Sequence, residues 1–141
     1  MPPKPRTEYL LYPIGHIRSE LRRTSDAPRQ GAEGAPDACL ELDAAFVRAS
    51  AGLAAGEDII VVTWLHRADR TVLETHPRND PANPLTGVFV TRSPDRPNPL
   101  GLHRVTVREI SGPRLRIGPI EAIDGTPVVD IKAVLADSAD A

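Results

Sequence analysis

The sequence predicts a mainly β fold: a small closed or nearly closed β-barrel of about seven to eight strands with one short helix. Three observations predict it. Short apolar runs of strand length, separated by glycine and proline turns, recur along most of the chain, and only one stretch has helical spacing. Ile59-Ile60-Val61-Val62-Thr63-Trp64-Leu65 is apolar on both alternating faces, the mark of a central strand buried on both sides. Closure follows because many short strands with one helix would otherwise expose sheet edges.

Tyr12 to Ser19 reads as the first strand. A polar segment, Glu20 to Asp37, follows with the Pro28-Arg29-Gln30-Gly31 turn. Cys39 to Leu42 is a short second strand. Asp43 caps a helix from Ala44 to about Ala54, with Phe46, Ala49 or Ser50, and Leu53 on one face and Gly56 at its end. The buried strand runs from Asp58 to His66, and its end is expected to form a site. Thr71 to Thr75, Leu85 to Thr91, Leu102 to Ile110, Arg114 to Pro119 and Val128 to Val134 complete the strands. Ser111-Gly112-Pro113 and Asp124-Gly125-Thr126-Pro127 are the intervening turns, the second read as a hairpin turn.

With 141 residues, 40% of them hydrophobic, the chain has room for one domain over residues 1–141, with residues 1–8 and 136–141 as flexible tails. No apolar stretch approaches membrane-spanning length, and the first residues lack the apolar segment of a secretory signal, so a cytoplasmic protein without a membrane partner is expected. Cys39 is the only cysteine, which rules out a disulfide or cysteine-based zinc cluster within one chain. The four histidines lack close helical spacing, so no metal is expected. A net charge of -2 and a pI of about 6.1 give no global attraction to nucleic acid. No DNA partner is expected, and any RNA contact must come from a local patch.

Thr91 to Gly101, TRSPDRPNPLG, is the stretch richest in functional signal. Pro94, Pro97 and Pro99 fix their own φ and restrict Ser93, Arg96 and Asn98, which makes the loop stiff. Such a loop holds Arg92, Arg96 and Asn98 in place with little ordering cost, as a binding site requires; a rigid connector or proline-rich recognition segment is equally compatible with the residues. No glycine-rich turn joins a strand to a helix, and no serine sits in a nucleophile elbow, so neither a Rossmann or phosphate-cradling site nor hydrolase chemistry is supported.

Four stretches, Gly15 to Ser19, Pro28 to Gly31, Gly87 to Leu102 and Asp124 to Lys132, resemble the TsaA-like or TrmO-type proteins, whose characterised members are S-adenosylmethionine-dependent tRNA methyltransferases. The resemblance implies a small dimeric β-barrel that binds S-adenosylmethionine near the subunit interface. It also implies methyl transfer to the exocyclic amine of a threonylcarbamoyl-modified adenosine beside the anticodon. Bacterial members of this activity continue into a further C-terminal domain; this sequence, ending soon after Leu135, is similar to the short archaeal-type form. The matching positions imply a cofactor-binding set of Gly31, Ala32, Glu33, His66, Arg67, Arg92, Leu102, Gly118, Pro119, Ile120 and Glu121. His103 stands where the family usually has serine, which leaves its contact with the acceptor open.

For such chemistry, Arg92 or Arg96 can pair with the cofactor carboxylate, while Leu102 with Trp64 or Leu65 offers apolar surface to adenine. Arg29, Arg96 and Asn98 are the substrate-binding candidates. The acceptor amine is a weak nucleophile, so a base is expected, with Glu121, Asp124, Asp130 and His66 as candidates among which the residues alone do not choose. Turn geometry alone also explains Asp124, and Asp130 with Lys132 on one strand face also reads as an ion pair. His66 reads equally as a buried, hydrogen-bonded histidine. Arg18, Arg22, Arg23, Arg29, Arg67 and Arg70 are the candidates for a basic rim toward tRNA, with the loop His76 to Asn83 near the anticodon arm. The alternatives to a tRNA enzyme are a small-molecule methyltransferase and a non-catalytic S-adenosylmethionine-binding module.

Overall fold

Alternating burial along short strands builds the barrel. In the computed structural model, which describes residues 6–22 and 34–135, β1 (Gly15–Arg18) turns Ile17 inward, and β2 (Ala38–Leu42) turns Ala38, Leu40 and Leu42 inward. β3 (Asp58–Trp64) buries five consecutive residues, Ile59 to Thr63. Two-residue β4 (Glu74–Thr75) and β5 (Thr86–Gly87) follow, then the long β6 (Leu100–Ser111), β7 (Arg114–Gly118) and β8 (Pro127–Ala133).

Six of the eight strands close a barrel in the order β1-β2-β7-β6-β3-β8, every pair antiparallel, and Gly15 opposite Val128 seals the last seam. Ile17, Leu40, Ile59, Val61, Val105, Val107, Leu115, Ile117 and Val128 fill the interior. Each such side chain contributes roughly 1.5–3 kcal/mol by leaving water. β3 is apolar on both faces as expected: Ile59 and Val61 belong to the interior, while Ile60 and Val62 alternate with them and are also buried, standing in register with Arg104 and Lys132, and with Leu102 and Asp130.

Register places the strand ends Arg18, Ala38, Trp64, Leu100, Gly118 and Pro127 at one end of the barrel. The connections 19–37, 65–99 and 119–126 all leave from this end. The opposite end carries the Ser111–Arg114 hairpin and a 3-10 helix, Ala44–Ser50, whose Val47, with the following Leu53, packs against the core.

Several sequence boundaries change. Asp43 caps the helix, accepting a hydrogen bond from Ala45 N at 3.1 Å, but the helix is 3-10 and ends before Gly52, whose φ of 91° breaks the path ahead of Gly56. The expected strand Thr71–Thr75 shrinks to Glu74–Thr75 because Asp69 Oδ1 accepts from both Thr71 N and Thr71 Oγ1, turning the backbone. Leu85–Thr91 keeps only Thr86–Gly87, since Val88–Val90 coil into a 3-10 turn whose first carbonyl accepts from Thr91 N. Asp124 to Pro127 is a turn without a hairpin: β8 pairs with β1 and β3, and the turn itself bonds to the β1 segment through Gly125 N to Ile17 O and Ile17 N to Thr126 O. No helix among the described residues is long and apolar enough to cross a membrane.

Candidate active site

The proline-rich loop is fastened by two arginines. Arg96 donates through Nε to Ser93 O at 2.8 Å and through Nη2 to the carbonyls of Val88 and Thr91, both at 2.5 Å. Arg70 donates to Pro97 O at 2.7 Å and to Asn98 Oδ1 at 3.2 Å while lying over the Trp64 ring, 5.0 Å from its centroid. Leu65 N to Pro99 O at 2.8 Å ties the loop's end to the end of β3. Arg96 is therefore held by carbonyls of the loop and by that of Val88 just before it. Asn98 gives its side-chain oxygen to Arg70, and the Trp64 ring carries that guanidinium on one face, so Leu102 and Leu65 remain as apolar surface.

Arg92 differs from its neighbours. It is exposed on the fastened loop and makes no hydrogen bond or ion pair with any other described residue. Leu102, 49% exposed, stands third from the loop end of β6 opposite Val62. His66 is exposed rather than buried, two residues past β3; partial burial, then the charges of Arg67 and His16, hold its pKa below the ordinary histidine value, which leaves it neutral near pH 7. Arg67 reaches back to Arg22 O at 3.2 Å.

Inside the same end of the barrel lies a polar array. His103, 5% exposed, has Nε2 2.7 Å from Thr63 Oγ1 and Nδ1 2.7 Å from Glu121 Oε1. Thr63 is fully buried, whereas the Glu121 side chain is 20% exposed. Val61 opposite His103 and Thr63 opposite Gly101 set this arrangement, and a Cβ on Gly101 would lie 2.5 Å from Thr63 Oγ1 and 2.8 Å from His103 Nε2. His103 is thus enclosed, with one ring nitrogen facing Thr63 and the other facing Glu121.

The remaining candidates separate. Asp124 accepts from Ser19 N at 3.0 Å through Oδ1 and pairs with Arg22 Nη1 at 3.3 Å through Oδ2, so both oxygens brace the exit of β1. Asp130 pairs with Lys132 at 3.2 Å in solvent, the ion pair read from the strand face. Along 118–121, Gly118 ends β7 against the Asp37 carboxylate, Pro119 follows through a cis peptide bond, and the Ile120 side chain lies in the core, so Glu121 alone presents a polar side chain from that stretch. Arg23, Arg29, Gly31, Ala32 and Glu33 lie outside the described residues. A cleft of about 570 Å³ opens beside Arg18, Arg22, Asp37, Arg116 and Asp124, but its arginines already face Glu41, Asp124 and Asp37 at 3.5, 3.3 and 3.1 Å. Thr63 and Gly101 were missed as site-forming residues, and Arg70 was read only as part of a basic rim and not as a fastener of the loop; Thr63, a hydroxyl in an otherwise apolar run, was the available signal.

Residues 16–141 match the family model of the tRNA-methyltransferase O N-terminal domain. A probable S-adenosyl-L-methionine-binding protein of Methanocaldococcus jannaschii is 46% identical over 128 residues, covering 88% of this chain and 90% of the relative. An S-adenosyl-L-methionine-binding protein of Archaeoglobus fulgidus is 41% identical over 126 residues, 87% of each chain. The crystal structure of TrmO from Pseudomonas aeruginosa superposes with a TM-score of 0.72 at 33% identity, covering 96% of this chain. This chain spans 61% of the length of that structure.

Proposed function

This chain belongs to the family of the tRNA-methyltransferase O N-terminal domain, a methyltransferase family, and from that membership we propose that it binds S-adenosylmethionine at the loop end of its barrel and methylates the exocyclic amine of threonylcarbamoyl-modified adenosine beside the tRNA anticodon. The observation that carries the cofactor reading is Arg92: an exposed guanidinium, held on a loop fastened by Arg96 and Arg70, with no described partner of its own. It fits a carboxylate, which takes two parallel N–H bonds from such a fork. Leu102 and Leu65 fit the adenine as apolar surface, so the residues present answer ends of opposite character in one ligand.

When bound, S-adenosylmethionine supplies a methyl carbon whose bond to sulfur breaks as the acceptor nitrogen's lone pair bonds to it, the electron pair staying on sulfur and the nitrogen's proton leaving to a base. Glu121 is the supported base, because His103 holds one carboxylate oxygen while the side chain remains partly open to the loop end. Asp124 and Asp130 are already bonded to neighbours, and exposed His66 makes no hydrogen bond with a described residue. Beyond this proton transfer, the protein's contribution is alignment and exclusion of water. The reading includes a cytoplasmic location and a homodimer, the homodimer supported by exposed apolar Phe89, Val90, Leu100 and Leu102 on the loop side.

A small-molecule acceptor is the second reading. It is favoured by the described part of the rim, where Arg18 and Arg22 face acids, so two of the charges read for phosphates are already paired. Calorimetric titration of S-adenosylmethionine into the wild type and Arg92→Ala tests the cofactor site. A loss of about 10- to 100-fold in affinity is expected for one charged hydrogen-bonded pair. Undiminished binding by Arg92→Ala removes the assignment. Mass analysis of nucleosides from tRNA incubated with protein and cofactor then tests the acceptor: a methyl added to the threonylcarbamoyl-modified nucleoside is expected, and an unchanged nucleoside profile leaves the small-molecule reading.

A further inference from the structure

We infer that Thr63 and His103 form a brace that fixes Glu121 for proton transfer, making His103 a positioning residue held in one tautomer; the catalytic half of this inference rests on the function proposed above. A carboxylate only accepts hydrogen bonds, so the 2.7 Å contact with Glu121 Oε1 requires a proton on His103 Nδ1. Thr63 Oγ1 is sealed from solvent, and His103 Nε2 at 2.7 Å is its only hydrogen-bond partner among the described residues. Its hydroxyl proton therefore goes to Nε2, which must be the bare nitrogen. The neutral Nδ1–H imidazole satisfies all three groups. An imidazolium would donate from Nε2 to Thr63 and leave the threonine proton buried without an acceptor.

The array is a brace and not a proton wire. Thr63 leads nowhere: no further acceptor among the described residues extends the chain of bonds, so a proton taken by Glu121 leaves through the partly exposed carboxyl itself. Fixing one Glu121 oxygen restricts the direction in which the other is presented to the acceptor amine. Gly101 completes the brace, because any larger residue would occupy the space that Thr63 Oγ1 and His103 Nε2 require.

The test begins on the wild type with 15N-labelled histidine. Imidazole nitrogen shifts at neutral pH should show His103 protonated on Nδ1 and bare on Nε2, with the signals assigned by their loss in His103→Asn. An Nε2–H tautomer or an imidazolium overturns the brace. Steady-state methyl transfer then reads its use. Thr63→Val, which keeps the shape and removes the donor, should lower kcat about tenfold with KM unchanged, the equivalent of one net hydrogen bond. His103→Leu should cost up to about 100-fold, and His103→Asn, whose amide can still donate toward Glu121, should recover part of that loss. A kcat equal to wild type in folded Thr63→Val and His103→Leu overturns the positioning role. A wild type that transfers no methyl group overturns the methyl-transfer reading, and the imidazole spectrum then decides the brace independently.

Discussion

Glu121→Gln is expected to lower the rate of methyl transfer by about 10²- to 10⁴-fold while leaving the fold and the affinity for S-adenosylmethionine unchanged. The range is what a positioned general base contributes. Glutamine preserves the shape of the side chain, and its carbonyl oxygen can still accept from His103 Nδ1, so the brace inside the barrel survives. What disappears is the negative charge and the capacity to take a proton from the acceptor nitrogen. Measuring kcat and cofactor affinity on the same preparation separates two roles: if both fall together, Glu121 binds the cofactor and is not the base. Asp130→Asn provides the contrast, because its carboxylate pairs with Lys132 in solvent at 3.2 Å. Such an exposed pair is worth about 0–1 kcal/mol to stability. A large rate loss in Asp130→Asn with none in Glu121→Gln would reverse the assignment.

The difference between the two carboxylates was not visible in sequence order, and the reason is topological. Alternation identified the doubly buried β3, and the glycine and proline turns delimited most of the strands, because those signals are local. Glu121 and His103 are 18 residues apart, and His103 and Thr63 are 40 apart; the antiparallel register of β3 with β6 brings Thr63 to His103, and the pairing of β6 with β7 delivers Glu121, which follows β7. A trace of this was present. Ile59, Val61 and Thr63 share one strand face, as do Gly101, His103, Val105 and Val107, so each apolar face ends in polar or glycine positions at the same end of the barrel. Asp124 misled in the other direction: Asp-Gly suits a hairpin, but the turn it forms bonds to the β1 segment, and the side chain caps Ser19 N. The proline-rich loop was legible as stiff, yet the division of labour among its arginines was not, since one of the carbonyls that hold Arg96, that of Val88, is placed by the 3-10 turn at Val88–Val90, outside the loop itself.

That division bears on how the site is built. Arg96 and Arg70 are occupied with the loop and leave Arg92 as its outward guanidinium, so the first two set the position in which the third is held. Two layers thus meet at the loop end: an outer loop that presents a cation, and an inner array that presents a carboxylate. Gly101 sits where they join, closing the proline-rich loop and opening the inner face of β6.

Gly101→Ala is accordingly expected to be among the most disruptive single-methyl changes in the barrel, lowering stability by about 2–6 kcal/mol. The added carbon would lie 2.5 Å from Thr63 Oγ1 and 2.8 Å from His103 Nε2, closer than nonbonded atoms tolerate. Neither neighbour can yield cheaply, since Thr63 is fully buried and His103 is held at both ring nitrogens. Overpacking of this kind costs about 1–3 kcal/mol, and parting Thr63 from His103 leaves a buried polar group unsatisfied for about 1–3 kcal/mol more. Denaturant unfolding of four proteins checks the cause as well as the size: wild type, Gly101→Ala, Thr63→Ala and the double variant. Removing the threonine side chain deletes the nearest clash, so the double variant should be markedly more stable than the sum of the single losses predicts. Strict additivity would show that the glycine is required for some reason other than its approach to Thr63. A neutral Gly101→Ala would mean that the inner array has room to rearrange, and the fixed placement of Glu121 would fall with it.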